Sequence, residues 1–273
     1  MRVVARDATD GLTGHAGAMN TPTVALVTGA NKGIGYEVAH QLGARGMIVL
    51  VGARDAERGA AAEASLRDLG IDAHHVSLDV ADEPSIARAA ERIETEHARL
   101  DVLVNNAGIT GGPESGLPSQ TPLSILREVY ETNVFGAVAV TNALLPLLRR
   151  APAARIVNVS SEVGSIHATL DREGPLWPMV SIPYVSSKTA LNMVTAQYAK
   201  ELWDTPIKVN AANPGYCATD LNNHSGFRSA EQGAEVIVHL ATLGEDGPTG
   251  SFYGHLWVEG AELRDPAYGT LPW

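Results

Sequence analysis

The sequence holds a single cysteine, Cys217, in 273 residues. That count excludes an internal disulfide and a thiolate metal cluster, and a reducing, cytoplasmic setting is expected. Cations are in the minority: 20 Lys and Arg stand against 31 Asp and Glu, a formal net charge of −11. This acidic balance argues against nucleic acid or an anionic membrane as the main partner, since both recruit proteins through an excess of basic side chains. It leaves room for a local cationic pocket around one phosphate. Long apolar runs are missing, and stretches such as 134–140 are far too short to cross a bilayer. Residues 1–20 lack the apolar centre of a signal peptide and read as a loose, mixed tail, with Met19 an alternative start. The nine histidines show no metal-ligand spacing. His74 and His75 lie along a strand, where neighbouring side chains face opposite ways, so no metal site is expected. Asp82, Glu83 and the carboxylates within 91–96 read as solvated helix faces, and Trp203, Trp257 and Trp273 as packing residues.

What is present is ordinary globular material, 45% hydrophobic and 19% charged, in a chain long enough to bury roughly 75% of its unfolded surface. From residue 21 onward, short apolar runs alternate with helical patterns. Strands are expected at 24–27, 47–51, 76–79, 100–104, 155–159 and 207–211. Helices are expected at 34–45, 55–69, from 82 onward, from 122 to about 149, at 184–202 and at 229–243. Asp82 followed by Pro84 supplies an N-cap and an early proline for the third helix. Such alternation implies βαβ units. The expected fold is a single doubly wound, Rossmann-type α/β domain spanning 21–273, its mostly parallel sheet covered by helices on both faces.

The first chemical signal is Thr28-Gly29-Ala30-Asn31-Lys32-Gly33-Ile34-Gly35, which follows the first strand and opens the first helix. Gly29 would permit the tight turn, Gly33 the approach of backbone to a pyrophosphate, and Gly35 the packing of helix on strand, with the helix N-terminus facing the phosphates. The second signal closes the second strand. Dinucleotide sites that prefer NAD place an acid there for the ribose 2′-hydroxyl; here Ala53 and Arg54 stand instead. A guanidinium pairs with a 2′-phosphate that a carboxylate would repel. Lys32 adds a second cation, and NADP is the expected cofactor.

The third signal is Tyr184-Val185-Ser186-Ser187-Lys188. Residues four apart share a helix face, so a lysine cation beside the phenol would favour the phenolate and lower its pKa. Alone, such a pair is a frequent accident of helices. Its weight comes from company: Ser160-Ser161 ends the fifth strand, Asn133 lies on the preceding helix, and ligands of such sheets sit at the carboxyl ends of the strands.

Together these residues resemble a short-chain dehydrogenase/reductase, in its carbonyl-reductase-like branch, over 23–253. The resemblance rests on residues 28–35, Leu78-Asp79-Val80, Asn105-Asn106-Ala107-Gly108, Asn133, Ser161, Tyr184, Lys188 and Asn213-Pro214-Gly215 with Thr219. It implies that Tyr184 is the general acid/base, that Ser161 orients the carbonyl, that Lys188 holds the nicotinamide ribose and that Asn133 holds a water of the proton relay. It extends the cofactor site to Asn31 and Ile34, to Asp79, which would meet the adenine, and Val80, to Asn106, Ala107 and Gly108, and to Pro214, Gly215, Cys217, Ala218 and Thr219, the last contacting the carboxamide. The implied activity is NADPH-dependent, reversible reduction of an aldehyde or ketone. Alternatives on the same residues are an NADP-linked secondary-alcohol dehydrogenase and reduction of a quinone or activated double bond. From another class comes an NADPH sensor without turnover, against which the complete set of Asn133, Ser161, Tyr184 and Lys188 argues.

Ser161 and Tyr184 lie 23 positions apart, a spacing between those of most members and of the vertebrate carbonyl reductases. An insertion there would shape the substrate entrance. It would also cover the surface through which many members associate, so a monomer is expected, with dimer and tetramer left open. Trp177, Met179, Tyr216, Leu221 and Phe227, with Ser161 and Tyr184, are the expected substrate residues, suited to a neutral, apolar carbonyl compound. The direction of Arg228 is open. Cys217 reads as a small buried hydrophobe whose accessibility should report on the cofactor.

Overall fold

The computed structural model describes residues 22–112, 116–256 and 267–273. The expected tail and Trp257 lie outside them. Strands β1 (Val24–Thr28), β2 (Ile48–Ala53), β3 (Ala73–Ser77), β4 (Val102–Asn105), β5 (Arg155–Val159), β6 (Lys208–Asn213), β7 (Phe252–His255) and β8 (Tyr268–Thr270) form one sheet in the order β3-β2-β1-β4-β5-β6-β7-β8. The first seven are parallel and β8 is antiparallel to β7. Every residue of β1, β4 and β5 is buried, as expected of strands covered on both faces. Strand order reverses between β1 and β4, which places a ligand crevice at the carboxyl ends of those two strands.

Helices α1 (Gly33–Gly43), α2 (Ala56–Asp68) and α8 (Ala230–Ala241) cover one face, with Val38, Leu42, Leu66, Ile237 and Leu240 in one core. Helices α3 (Glu83–His97), α5 (Gly136–Leu148) and α7 (Ile182–Glu201) cover the other, with Ile86, Ile93, Leu144, Leu148 and Ala199 in a second. Helix starts follow capping chemistry: Asp55 accepts from the Arg58 N–H, Asp82 from the Ser85 N–H, and Ser229 forms a reciprocal box with Gln232. The doubly wound expectation is borne out.

Four local differences from the expected elements stand out. β3 occupies 73–77 rather than 76–79, because pairing of Val49 with Ala73 through Ala53 with Ser77 fixes its register. β7 and β8 fall in a C-terminal segment where no element is expected from sequence. There Trp273 stacks on Phe252 (centroids 5.5 Å apart), whereas Trp203 is mostly exposed instead of packed. The helix after Pro122 is not regular: α4 (Leu123–Tyr130) passes into a five-residue π turn, Glu131–Phe135, before α5. Taken as one helix of 26 residues, this segment is long and apolar enough to cross a membrane, unlike any single apolar run, yet half of its most apolar stretch is buried inside the fold. A short helix, α6 (Ile166–Thr169), lies between β5 and α7.

Candidate active site

The glycine turn is shaped by what surrounds it. Gly29 and Gly33 have left-handed φ of +63° and +58°, and a Cβ on Gly35 would lie 2.4 Å from the Asn106 side chain and 2.6 Å from the Gly29 carbonyl. The Thr28 hydroxyl accepts the N–H groups of Asn106 and Ala107 at 3.0 Å, and the Asn106 amide donates to the Thr28 carbonyl at 2.8 Å. Asn106 therefore holds the turn with its side chain instead of presenting that amide to a ligand. Asn105 donates to Asn158 and Thr141, and Asn158 to Thr195, tying β4, β5, α5 and α7 together behind the crevice.

This cradle fits a dinucleotide. The free N-terminus of α1, where Lys32 is an extended N-cap with no side-chain cap bond, faces the turn and favours phosphate. At the end of β2, Arg54 is exposed, and the neighbouring carboxylate of Asp55 is engaged in capping α2. Asp79 closes the third strand's turn by accepting the Ala81 N–H, and Val80 is buried against Gly136. Lys32 is not free: its Nζ meets Asp220 at 2.6 Å. Across the crevice Gly215 has φ of +76°, and its N–H donates to the Asn213 side chain. Thr219 caps the short turn Asp220–Asn222, and its methyl lies 3.5 Å from where a Gly33 Cβ would stand.

Chemistry gathers at the end of β5. Ser161 stands close enough to the Tyr184 phenol to favour its ionised form. Lys188, on the same face of α7, donates from Nζ to the Val159 carbonyl at 2.8 Å, with Nζ 5.6 Å from the Tyr184 ring centroid. The expected lowering of the phenol by this lysine is not found. Burial pushes Tyr184 up to about 12, opposed by the Ser161 hydrogen bond and reinforced by the nearby Glu162 and Cys217. Burial likewise brings Lys188 down to about 8. Desolvation is the largest influence on both groups.

Asn133 sits within the π turn, fully buried. Its amide donates to the Ile109 carbonyl (2.9 Å) and the Ser187 hydroxyl (3.0 Å), while its oxygen accepts the Ile109 N–H (2.8 Å). The side chain is therefore held at three of its hydrogen-bonding positions by protein groups. It fixes the strand β4 loop, with Gly108, against α7; a Cβ on Gly108 would stand 3.3 Å from Asn133 and 3.6 Å from the Lys188 Nζ.

The substrate residues divide. Tyr216 bonds Ser225 through its hydroxyl and packs near Phe227, which lies beside His255; Leu221 is exposed on the adjoining turn. Trp177 stands apart under the Arg172 guanidinium. Met179, with Val180, Val185, Thr189 and Met193, lines a cleft of about 590 Å³ that none of Ser161, Tyr184 and Lys188 borders. Arg228 points inward, 2% exposed, donating to the Gln232 carbonyl and the Tyr268 hydroxyl. Cys217 is buried, its thiol so close to α8 that a Cβ on Gly233 would meet Sγ at 2.4 Å, and burial pushes it up to about 11. The expected reporter of cofactor binding is thus an inaccessible thiol, while its reading as a small buried hydrophobe holds. Glu162 escaped sequence reasoning, and Asn213 entered it only through its motif: the Glu162 N–H donates to the Asn213 oxygen, and the Asn213 amide reaches Glu162 and the His255 carbonyl. The only signal for Glu162 is its place next to Ser161.

A family profile described as short chain dehydrogenase matches residues 23–229. The chain belongs to the short-chain dehydrogenase/reductase family. Among curated relatives, a (+)-neomenthol dehydrogenase of Capsicum annuum is 31% identical, over 84% of this chain and 94% of its own. A (−)-isopiperitenone reductase of Mentha piperita is 33% identical, over 84% and 95%. The NADPH-bound carbonyl reductase from chicken fatty liver superposes with a TM-score of 0.75 at 28% identity, covering 86% of this chain and 96% of that one. As a family member, the chain is an oxidoreductase acting on alcohol and carbonyl groups.

Proposed function

We propose that the chain reduces neutral, apolar ketones or aldehydes with NADPH, reversibly, and that Tyr184 delivers the proton. NADPH supplies the hydride when bound. As hydride reaches a carbonyl carbon, negative charge builds on its oxygen, and hydroxyl donors aimed at that oxygen stabilise the change. Ser161 and Tyr184 are such a pair, close together beyond the carboxyl end of β5. The observation that carries the reading is the gathering of Ser161, Tyr184 and Lys188 where β5 ends, with Lys188 Nζ on the Val159 carbonyl and 5.6 Å from the Tyr184 ring; burial, which pushes the phenol up to about 12, suits a proton donor. Lys188 and Asn133 position the phenol and the adjoining backbone. Arg54 and Lys32 are the cations for the 2′-phosphate, and Gly29, Gly33, Gly215 and Thr219 line the path between.

The substrate class follows from the loops. Tyr216, Leu221, Phe227 and Trp177 offer apolar surface, and Arg228 is turned away from it, so binding rests on area burial at roughly 25 cal/mol per Å². Ile166, Thr169, Met179 and Val180 border one cleft with Val185, Thr189 and Met193 of α7, and a segment beside that helix face is the support for a monomer in solution. The lone buried thiol suits a reducing, cytoplasmic setting. The test is NADPH oxidation against a panel of aldehydes, ketones, diketones and quinones. Turnover of apolar ketones with rising kcat/KM as apolar substituents grow is expected; preference for small charged substrates, or for quinones alone, overturns the substrate reading. A stable tetramer in light scattering overturns the monomer.

A further inference from the structure

Lys32 and Asp220 are 188 residues apart in sequence and join two loops of opposite halves of the crevice. Lys32 is the N-cap of α1, in the glycine turn; Asp220 opens the turn that Thr219 caps beyond β6. Their contact, at 2.6 Å, leaves both side chains about half exposed. A second contact holds the acid in place: His224 Nε2 lies 2.9 Å from the other Asp220 oxygen. The turn itself is braced from within, since Asn222 donates to the Cys217 carbonyl and accepts the Thr219 N–H. The Lys32 hydrogen bond holds the Asp220 carboxyl below its ordinary range, so the acid is ionised at neutral pH.

We propose that Asp220 is a specificity-determining residue: it engages Lys32 across the mouth of the dinucleotide crevice, and the 2′-phosphate of NADPH binds by taking that cation from it. The proposal rests on the reading of Lys32 as a 2′-phosphate ligand. One ammonium serves two anions, and whatever stability the ion pair has is subtracted from NADPH binding but not from NADH binding, which brings no 2′-phosphate. Exposed ion pairs are weak, and their strength falls with salt. Asp220 therefore trims the affinity for NADPH without abolishing it, which shortens the stay of the oxidised cofactor after turnover.

The experiment measures dissociation constants of NADPH and NADH by cofactor fluorescence, without substrate, for wild type, Asp220→Asn, Lys32→Met and the double variant. Asp220→Asn is expected to tighten NADPH by about 1.5-fold to fivefold, the range of exposed ion pairs, with NADH unchanged and the gain reduced at high salt. Lys32→Met is expected to weaken NADPH, and in that background Asp220→Asn should add nothing. If Lys32→Met leaves NADPH unchanged, the reading of Lys32 fails and the proposal with it. If Lys32→Met weakens NADPH but Asp220→Asn has no effect, or its gain persists without Lys32, or NADH tightens equally, the Lys32 reading stands and the role of Asp220 is overturned.

Discussion

Between β1 and α1 the pyrophosphate cradle is made of backbone, whereas beyond β5 the substrate side is made of side chains, several of them on long connections. The glycine turn is four residues between a buried strand and a helix, and its shape is dictated by Gly29, Gly33 and the absence of room at Gly35. The segments 160–181 and 214–229 instead carry Trp177, Tyr216 and Leu221 at the surface. A pyrophosphate is the same for every enzyme using the cofactor, so its cradle has one solution; a substrate pocket differs with each substrate, and loops on a rigid scaffold allow that. The consequence is that changes in the first region should alter cofactor binding sharply, and changes in the second should alter selectivity gently.

The comparison is tested hardest where the regions meet. Tyr184→Phe keeps the ring and removes the proton, and turnover should fall by at least about 10²-fold while NADPH binding, read by fluorescence titration, survives. Near-normal turnover would move the acid elsewhere. Next in size, Arg54→Ala should weaken NADPH by about tenfold to a hundredfold, the range of hydrogen bonds to a charged group, with NADH nearly unchanged; equal loss for both cofactors would remove Arg54 from the 2′-phosphate. Alcohol oxidation needs the phenolate, so its rate should climb with pH across the alkaline range towards the Tyr184 value of about 12. Because Glu162 raises that value, Glu162→Gln should shift the climb to lower pH, and a pH–rate profile displaced upward would reverse the sign assigned to this carboxylate. Smallest, Tyr216→Ala should change kcat/KM among ketones several-fold while the NADPH dissociation constant holds. A loss of NADPH affinity there would break the division between the two regions.

Most of the sheet is legible in the sequence because buried parallel strands read as apolar runs, as Val24–Thr28 and Arg155–Val159 show. β3 is harder, since His74 and His75 interrupt the run and only pairing with β2 sets its register. β7 and β8 are short and held by a non-local antiparallel pairing, which leaves no local pattern. At the site, Gly29, Ser161, Tyr184 and Lys188 are readable from spacing and from the strand ends that precede them. What spacing cannot carry is depth: burial, which no spacing reveals, is the largest influence on both the Tyr184 phenol and the Lys188 ammonium. Nor does it carry partners distant in the chain. Asn213 with Glu162, and Lys32 with Asp220, meet only after the sheet has folded.

The π turn at 131–135 makes the long helix a gear with one extra tooth. Each residue of an α-helix advances the side-chain direction by about 100°, and a wide turn absorbs one residue that a regular helix would have counted. The Gly136 N–H reaches back five residues, to the Glu131 carbonyl. α4 therefore meets α7 in one phase and α5 meets α3 in another, and Asn133 faces Ile109 and Ser187 at the point of slip. The chain between Pro122 and Leu148 is accordingly metered to the single residue: deleting one position within 131–135 would rephase either Asn133 or the whole buried face of α5, whereas a deletion in the exposed stretch 116–121 would leave the phase untouched.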